Sequence, residues 1–337
     1  MRAVALLGPV AREQHVRRFE LPGVTLFSGN ELDLTDHPDA ALIFGGDGTI
    51  HRHLGELALK QIPTLIVPLG SANDFARSIG IETLEKAFAA WRRFRAARDN
   101  IRAIDLGTIQ PVDETEHEEP LAWQDESLGS LHFVPDGPRR DRPQLGPRIM
   151  QSHLRRLTEA EREIARTTFF GCIAGTGLDA AVNRLTMRQP SWLRAHGGYV
   201  VALLQVLGGF RAPHITLFVE VDGRWQTRLD EPGFLIAVGN GPQYGHGMRL
   251  THQAQMDDGL LDLCFVRPLS KLKLLRLFRV VYRGGHIGMK EVEYFRASRV
   301  RLWTEPVTEV FADGEYVCTT PVEIGVRQEA LRVIVPE

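Results

Sequence analysis

A five-residue turn with the sequence GGDGT (residues 45–49) constrains the fold of this chain more than any other feature. An apolar run (residues 41–44) precedes the turn, and a stretch that can form a helix (residues 50–60) follows it. Strand, glycine turn and helix in this order present backbone N–H groups and a helix N-terminus to an anion. Asp47 adds a carboxylate for a cation or hydroxyl, and Thr49 can cap the helix and donate to a phosphate oxygen. Two interpretations stay open for the turn alone, a phosphate-binding loop and a plain glycine turn with an N-cap.

The first hundred residues alternate short apolar runs with amphipathic stretches. The runs at 24–27, 41–44 and 64–68 are apolar almost throughout, as expected for strands covered on both faces. With a strand at 3–7 and helices at 50–60 and 83–98, they predict a doubly wound parallel α/β layer. The glycine turn then falls at the carboxyl end of a strand, where such sheets bind ligands.

The character of the chain changes after residue 107. Residues 112–149 are first acidic and then rich in Pro and Arg, which predicts an exposed, mobile insertion. From residue 167 onward consecutive strand-like runs with few helices predict an antiparallel β-sandwich. The predicted strands are 168–174, 215–221, 234–238, 260–266, 299–303 and 331–335, and the predicted helices are 193–207 and 271–283. We therefore expect an α/β domain at 1–106 and an all-β domain at 107–337.

Bulk composition excludes several classes of protein. The 337 residues are 43% hydrophobic and 24% charged, which is ordinary for globular proteins, and the net charge of −2 provides no basic field for nucleic acid. Cys172, Cys264 and Cys318 lack the spacing of a zinc site or a redox pair, so we expect free thiols in a reducing compartment. The N-terminus looks like a first strand rather than a signal peptide, and the longest apolar stretch (residues 199–207) is too short to span a bilayer. These features predict a soluble, cytoplasmic protein.

A second motif, PLGSANDFAR (residues 68–77), also begins at the end of an apolar strand. Gly70 permits a tight turn, Ser71 and Asn73 offer hydrogen bonds, and Asp74 offers a carboxylate. Alone, it is equally consistent with an ordinary strand, turn and helix.

The two motifs together resemble the diacylglycerol kinase catalytic-domain family, which includes bacterial lipid kinases and sphingosine kinases. Further matches follow in the order expected for that family, and they cover nearly the whole chain outside the insertion. They are GTGLDA (175–180), GNG (239–241), GHG (245–247), AQMDDGLLD (254–262) and DGE (313–315).

The resemblance implies a nucleotide domain like that of NAD kinases and phosphofructokinases, a β-sandwich, and an active site in the cleft between them. It implies transfer of the ATP γ-phosphoryl group to the hydroxyl of diacylglycerol or a related lipid alcohol. Asp47, with Asp74, is then a candidate for Mg²⁺ coordination. Either Asp313 or Glu315 would take the proton of the lipid hydroxyl. The residues expected to contact the nucleotide are Gly45, Gly46, Gly48, Thr49, Gly70, Ser71 and Asn73, with Ser28 a weaker candidate.

The family can also bind a structural Mg²⁺ at its D-G-L turn, through the Asp and neighbouring backbone carbonyls. The corresponding positions here are Gln255, Asp258 and Leu260. A solvated Asp-Gly hairpin turn is the alternative interpretation.

The chain departs from the family pattern just after the glycine turn. The family usually carries Asn-Glu there, whereas this chain has His51 and Arg52, and its N-terminal region is short. Arg52 could assist ATP electrostatically, or it could indicate a changed nucleotide site. His246 stands where a small residue is common in the family, so it is a weak candidate for substrate contact.

The predicted partners are ATP and a lipid at a membrane surface, contacted transiently. The basic amphipathic stretch 271–283 could rest on anionic headgroups or could be an ordinary surface helix. The helix with Tyr199, Leu203, Leu204 and Leu207 could line an acyl pocket or belong to the core. Two alternatives are an NAD kinase-like enzyme and a non-catalytic nucleotide- or lipid-binding protein. The oligomeric state stays open, with a homodimer among the options.

Overall fold

The computed structural model describes residues 1–29, 37–112, 167–190, 198–245 and 247–336. The predicted insertion, apart from Val112, and the candidate His246 lie outside the described residues. The described chain forms two sheets, of ten and six strands, with helices on their outer faces.

The N-terminal part is the predicted α/β layer. Strands β1 to β4 are parallel and lie in the order β2-β1-β3-β4, and β3 and β4 are buried along their whole length. The elements are β1 (Arg2–Leu7), α1 (Glu13–Arg17), β2 (Thr25–Gly29), β3 (Ala40–Gly45), α2 (Asp47–Lys60), β4 (Thr64–Pro68), α3 (Asp74–Ser78), α4 (Leu84–Ala97) and β5 (Ile101–Pro111).

The start of helix α2 differs from the prediction. The helix begins at Asp47, three residues earlier than expected, and its N-cap is Gly46 rather than Thr49. The glycine turn is therefore shorter than the motif, because Asp47, Gly48 and Thr49 already form the first helical turn. The N-cap role predicted for Thr49 is wrong.

The C-terminal part is mostly antiparallel strands, as predicted, with helices packed on one side. The predicted strand 168–174 is in fact two strands, since the chain bends at Gly171 and Cys172. The elements are β6 (Thr168–Phe170), β7 (Ile173–Gly177), α5 (Leu178–Arg188), α6 (Gly198–Leu207), β8 (His214–Val221), β9 (Arg224–Pro232), β10 (Leu235–Gly239), β11 (Leu261–Val266), α7 (Lys271–Val281), a 3-10 helix (Gly285–Gly288), β12 (Val292–Ala297), β13 (Arg299–Glu305), β14 (Glu309–Ala312), β15 (Glu315–Thr319) and β16 (Val322–Ile334).

The sandwich forms where the six-stranded sheet packs on the antiparallel part of the larger sheet. The six strands lie in the order β12-β11-β10-β7-β14-β15. Residues such as Ile236 and Leu263 face Val300 and Ile324 in a shared core. Helices α5, α6 and α7 cover the other face of the six-stranded sheet and form a separate apolar core.

Strand β16 joins the two parts of the molecule. It pairs antiparallel with β13 in the sandwich, antiparallel with β5 along most of its length, and parallel with β4 at Val333 and Thr64. Its last residues are buried in the core of the α/β layer. The expected domain boundary at 106/107 falls within β5, and the C-terminal end of the chain packs with the first domain.

Candidate active site

The two glycine motifs lie side by side because β3 and β4 are neighbours and end at the same level, with Gly45 opposite Pro68. A Cβ on Gly46 would lie 2.8 Å from the Cα of Gly70, and one on Gly70 would lie 2.5 Å from the Cα of Gly46. Both positions therefore require glycine because the two backbones touch.

Asp47 ties the two motifs together. Its Oδ2 accepts from the backbone N–H of Asp74 at 3.2 Å, and its Oδ1 accepts from that of Phe75 at 3.0 Å. Burial raises the pKa of Asp47 from its usual 3.8 to about 6, and the negative charges of Asp74 and Asp313 add to the rise. Asp74 is itself buried and accepts from the N–H of Gly247 at 3.0 Å.

Several residues expected to contact the nucleotide also shape the turns. Asn73, at a φ of 52°, accepts from the N–H of Gly70 and donates to its carbonyl, both at 2.8 Å. Thr49 is buried, with its hydroxyl packed where a Cβ on Gly45 or Gly8 would stand. Ser71 and Ser28 are exposed, Ser71 at the second turn and Ser28 on the edge strand β2.

The D-G-E motif is the loop of the β14–β15 hairpin, as predicted. Asp313 and Gly314 have φ angles of 49° and 84°, and Ala312 pairs with Glu315. The carboxylate of Asp313 accepts three backbone N–H groups, from Gly171 at 2.7 Å, Cys172 at 2.9 Å and Ile173 at 3.1 Å. Asp313 thus closes the bend between β6 and β7.

Glu315 projects from this hairpin toward the glycine turn of the other domain. Its Oε1 lies 2.9 Å from where a Cβ on Gly48 would stand. Gly48 is in the first turn of α2, so the exposed Glu315 carboxylate rests at a helix N-terminus, where negative charge is favoured. The cleft therefore has the glycine turns on one side and Glu315 on the other.

The residues that replace the family's Asn-Glu pair take different positions. His51 is mostly buried, and its Nδ1 lies 3.4 Å from Oδ2 of Asp313. Arg52 is exposed on the next position of α2. His51 therefore contacts the β14–β15 hairpin, which carries the two candidate catalytic carboxylates, Asp313 and Glu315.

Three carboxylates, those of Asp47, Asp74 and Asp313, converge here and repel one another. A divalent cation bound with a nucleotide would relieve this repulsion, and Asp47 and Asp74 are placed to hold it. No group of three or more His, Cys, Asp or Glu side chains among the described residues is arranged to hold a metal ion alone. The nucleotide phosphates would therefore have to supply further ligands.

The residues at the D-G-L turn do not fit a second, structural Mg²⁺. Oδ1 of Asp258 accepts from the N–H of Leu260 at 3.1 Å, and Oδ2 faces Nη1 of Arg296 at 3.5 Å. Gln255 is exposed. A cation at Asp258 would lie beside a guanidinium, which opposes its binding.

One structural residue was missed from the sequence, the buried Asp105 on β5. Its Oδ2 accepts from the N–H of Gly259 at 2.7 Å, and its Oδ1 accepts from that of Glu329 at 2.8 Å. The side chain of Asn240 donates to the carbonyls of Asp105 and Gly171, both at 3.0 Å. A lone carboxylate in the otherwise apolar segment IDLG was the available signal.

An apolar cavity lies between the six-stranded sheet and helices α5 to α7. Its polar lining is Asp179, whose carboxylate accepts from Tyr199 Oη at 2.7 Å and from Asn183 at 3.2 Å. Burial raises the pKa of Asp179 to about 6. The apolar lining is Leu178, Val182, Leu203, Leu235, Met248, Leu250, Leu274, Leu277 and Val281.

Tyr244 lies in the apolar core beside the cavity and interacts with charged groups of the cleft. Its hydroxyl accepts from Asn183 at 2.7 Å. Burial raises the pKa of Tyr244 well above its usual value. The charge of Asp179 adds to the rise, and the charges of Asp313 and Asp74 contribute less. The phenol of Tyr244, at the polar end of the cavity, therefore lies within range of the charges of Asp74 and Asp313.

Glycine turns facing an acidic hairpin across an interdomain cleft define the class of two-domain kinases built on an α/β layer and a β-sandwich. The sequence model of the diacylglycerol kinase catalytic domain matches residues 11–109. That of the YegS C-terminal NAD kinase beta sandwich-like domain matches residues 172–335. The chain belongs to the diacylglycerol kinase catalytic-domain family, which confirms the resemblance.

Individual relatives agree with this assignment. A diacylglycerol kinase of Mycobacterium tuberculosis is 29% identical over 303 residues, covering 88% of this chain and 77% of the relative. A diacylglycerol kinase of Bacillus subtilis is 24% identical, covering 89% and 78%. The crystal structure of a diacylglycerol kinase from Bacillus anthracis superposes with a TM-score of 0.61 at 18% identity, covering 99% of this chain and 96% of the other, which shows the same fold.

We expect Asp313→Asn to destabilise the protein by about 3 kcal/mol, because an amide oxygen cannot accept all three N–H groups that the carboxylate satisfies. Urea unfolding of the two purified proteins measures the difference. Asp230→Asn, which alters an exposed carboxylate on β9, is the control and should change stability by no more than about 0.5 kcal/mol. Equal stability of Asp313→Asn and the wild type would show that Asp313 does not hold the bend.

The raised pKa of Asp47 predicts a pH effect with a definite sign. Because the folded pKa exceeds the unfolded one, the contribution to stability is present below pH 3.8 and is lost as the pH rises through 6. Between pH 4 and 7 the wild type should lose about 2 kcal/mol of unfolding free energy relative to Asp47→Asn. Denaturant unfolding across this range measures it, and a constant difference would contradict the prediction.

Proposed function

We propose that the protein is an ATP-dependent lipid kinase that transfers the γ-phosphoryl group to the hydroxyl of diacylglycerol or a related lipid alcohol. The observation that carries the proposal is the approach of Glu315 to Gly48. This approach brings an acceptor carboxylate from the sandwich against the helix terminus expected to face the nucleotide phosphates.

The nucleotide would bind along the two glycine turns. The N-terminus of α2 and the exposed Ser71 face the position of the phosphates, while Asn73 and Thr49 hold the turns in shape. Mg²⁺ arriving with ATP would be held by Asp47 and Asp74 and would neutralise charge on the phosphates.

Glu315 is the better candidate for the base. The three backbone N–H groups on Asp313 use the lone pairs of its carboxylate, whereas the exposed Glu315 faces the cleft. In the proposed step the lipid O–H proton passes to the Glu315 carboxylate and the alcohol oxygen bonds to the γ-phosphorus. The bond from that phosphorus to the β,γ-bridging oxygen breaks, and ADP leaves.

The lipid would place an acyl chain in the apolar cavity, whose volume of about 30 Å³ would have to widen to admit it. Asp179 fixes one wall of the cavity, because its carboxylate is already bonded to Tyr199 and Asn183. An apolar cavity of this kind favours a lipid over NAD as the acceptor.

The substrate would be reached at a membrane surface. None of the helices in the described part of the chain combines the length and apolar character that spanning a bilayer requires. Helix α7 buries Leu274 and Leu277 under the cavity and exposes basic side chains, which suit anionic headgroups. The basic side chains that face outward on or just after it are Lys273, Arg276, Arg279 and Arg283.

A kinase assay with a panel of lipids tests the function. With Mg²⁺ and ATP, mass spectrometry should detect a phosphorylated diacylglycerol or related lipid. Glu315→Gln should lower turnover by about 10²–10⁴-fold without changing the melting temperature, because it removes the proton acceptor but keeps the shape. Glu309→Gln on the same hairpin, whose carboxylate pairs with Arg184, is the control.

Three results would contradict this proposal. Phosphorylation of NAD but of no lipid would indicate an NAD kinase, and ATP binding without any turnover would indicate a binding protein. Full activity of Glu315→Gln would exclude Glu315 as the base.

Filling the cavity tests the lipid site. Leu203→Phe enlarges a buried lining residue, so we expect KM for long-chain diacylglycerol to rise about tenfold, with KM for ATP unchanged. Leu204→Phe is the matched control because Leu204 is exposed on the same helix. Equal effects of the two substitutions on lipid KM would place the acyl chain elsewhere.

A further inference from the structure

The D-G-L turn (residues 256–260) is fixed to the strands that join the two domains. The carbonyl of Met256 accepts from the N–H of Asp105 at 2.6 Å, and Gly259 donates to the Asp105 carboxylate. Gly259, at a φ of 72°, also lies against Gln328 of β16. The conformation of this turn therefore matters to the junction of β5 and β16.

Arg296 faces two carboxylates, Asp258 in the turn and Asp262 just after it, and Asp262 is deeply buried. Asp262 has no exposed side-chain surface and accepts from Tyr294 Oη at 2.7 Å. Burial raises the pKa of Asp262, while the nearby Arg296 opposes the rise. A buried carboxylate and a second one beside it need a compensating positive charge.

Arg296 on β12 provides that charge from the chain itself. Its Nε donates to Oδ1 of Asp262 at 3.2 Å, its Nη2 donates to the carbonyl of Gln253 at 2.9 Å, and its Nη1 lies 3.5 Å from Asp258. Two carboxylates and a backbone carbonyl are the kind of oxygen ligands that a hard divalent cation would take. Here a planar guanidinium fills the same role with directed donors.

We propose that Arg296 replaces a structural divalent cation at the D-G-L turn, so that the turn forms without metal. This assignment depends on the contacts of Arg296 and not on the proposed kinase activity.

Thermal unfolding of the full chain without nucleotide tests the proposal. The wild type should melt at the same temperature in EDTA, in Mg²⁺ and in Ca²⁺. A wild type that loses stability in EDTA and regains it with Mg²⁺ or Ca²⁺ would overturn the proposal. This measurement needs no variant, so it stays decisive even if a substitution prevents folding.

Variants test the role of the guanidinium itself. Arg296→Gln should lower the melting temperature by several degrees, and Arg296→Lys should lower it less because the charge is kept. Arg102→Gln is the matched control, since Arg102 forms an exposed pair with Asp257 of the same turn, and it should shift the melting temperature by about one degree at most. Equal melting of Arg296→Gln and Arg102→Gln would also overturn the proposal.

Discussion

The hydrogen-bond ladder of strand β16 is the constraint on which the cleft depends. This single strand pairs with β13 in the sandwich and with β4 in the α/β layer, and β5 accompanies it across the junction. The register shifts between Arg327 and Leu331, and Glu329 has a φ of 50°. Asp105 accepts the N–H of Glu329 at this irregularity. Because buried backbone groups must stay paired, the two domains cannot rotate freely without breaking this ladder. The glycine turns and the acidic hairpin are thereby held at a set separation.

The position of Glu315 follows from a second set of hydrogen bonds. The bend at Gly171 and Cys172 interrupts the strand, and three successive N–H groups there need an acceptor that no neighbouring strand supplies. The Asp313 carboxylate satisfies all three, which fixes the hairpin loop against β7. Glu315 is two residues further along the hairpin, so the position of Asp313 determines the direction in which Glu315 points toward Gly48. Of the two acidic residues of the motif, Asp313 satisfies the backbone of the bend and Glu315 reaches the first turn of α2.

The features that could be predicted from the sequence are those that local residue patterns determine. Apolar runs and glycine turns indicated the parallel strands, helix α4, and the motifs that meet in the cleft. Features that depend on distant partners could not be predicted. The break between β6 and β7 depends on Asp313, about 140 residues away, and the roles of Asp105 and Arg296 depend on segments that meet only in the folded chain. The N-cap prediction for Thr49 failed for a local reason: Gly46, itself an acceptable N-cap, stands three residues earlier, and sequence patterns do not define helix ends to the residue.

The two acidic turns of the molecule differ in how their negative charge is compensated. In the cleft, burial raises the pKa of Asp47, and the negative charges of Asp74 and Asp313 add to the rise. At the D-G-L turn, Asp258 and Asp262 have Arg296 beside them. Repulsion between carboxylates persists only where the folded backbone holds the groups in place. Asp47 is held by the backbone N–H groups of Asp74 and Phe75. The acidity of the cleft therefore supports the proposal that the nucleotide arrives with its metal, whereas at the D-G-L turn the chain supplies the positive charge itself.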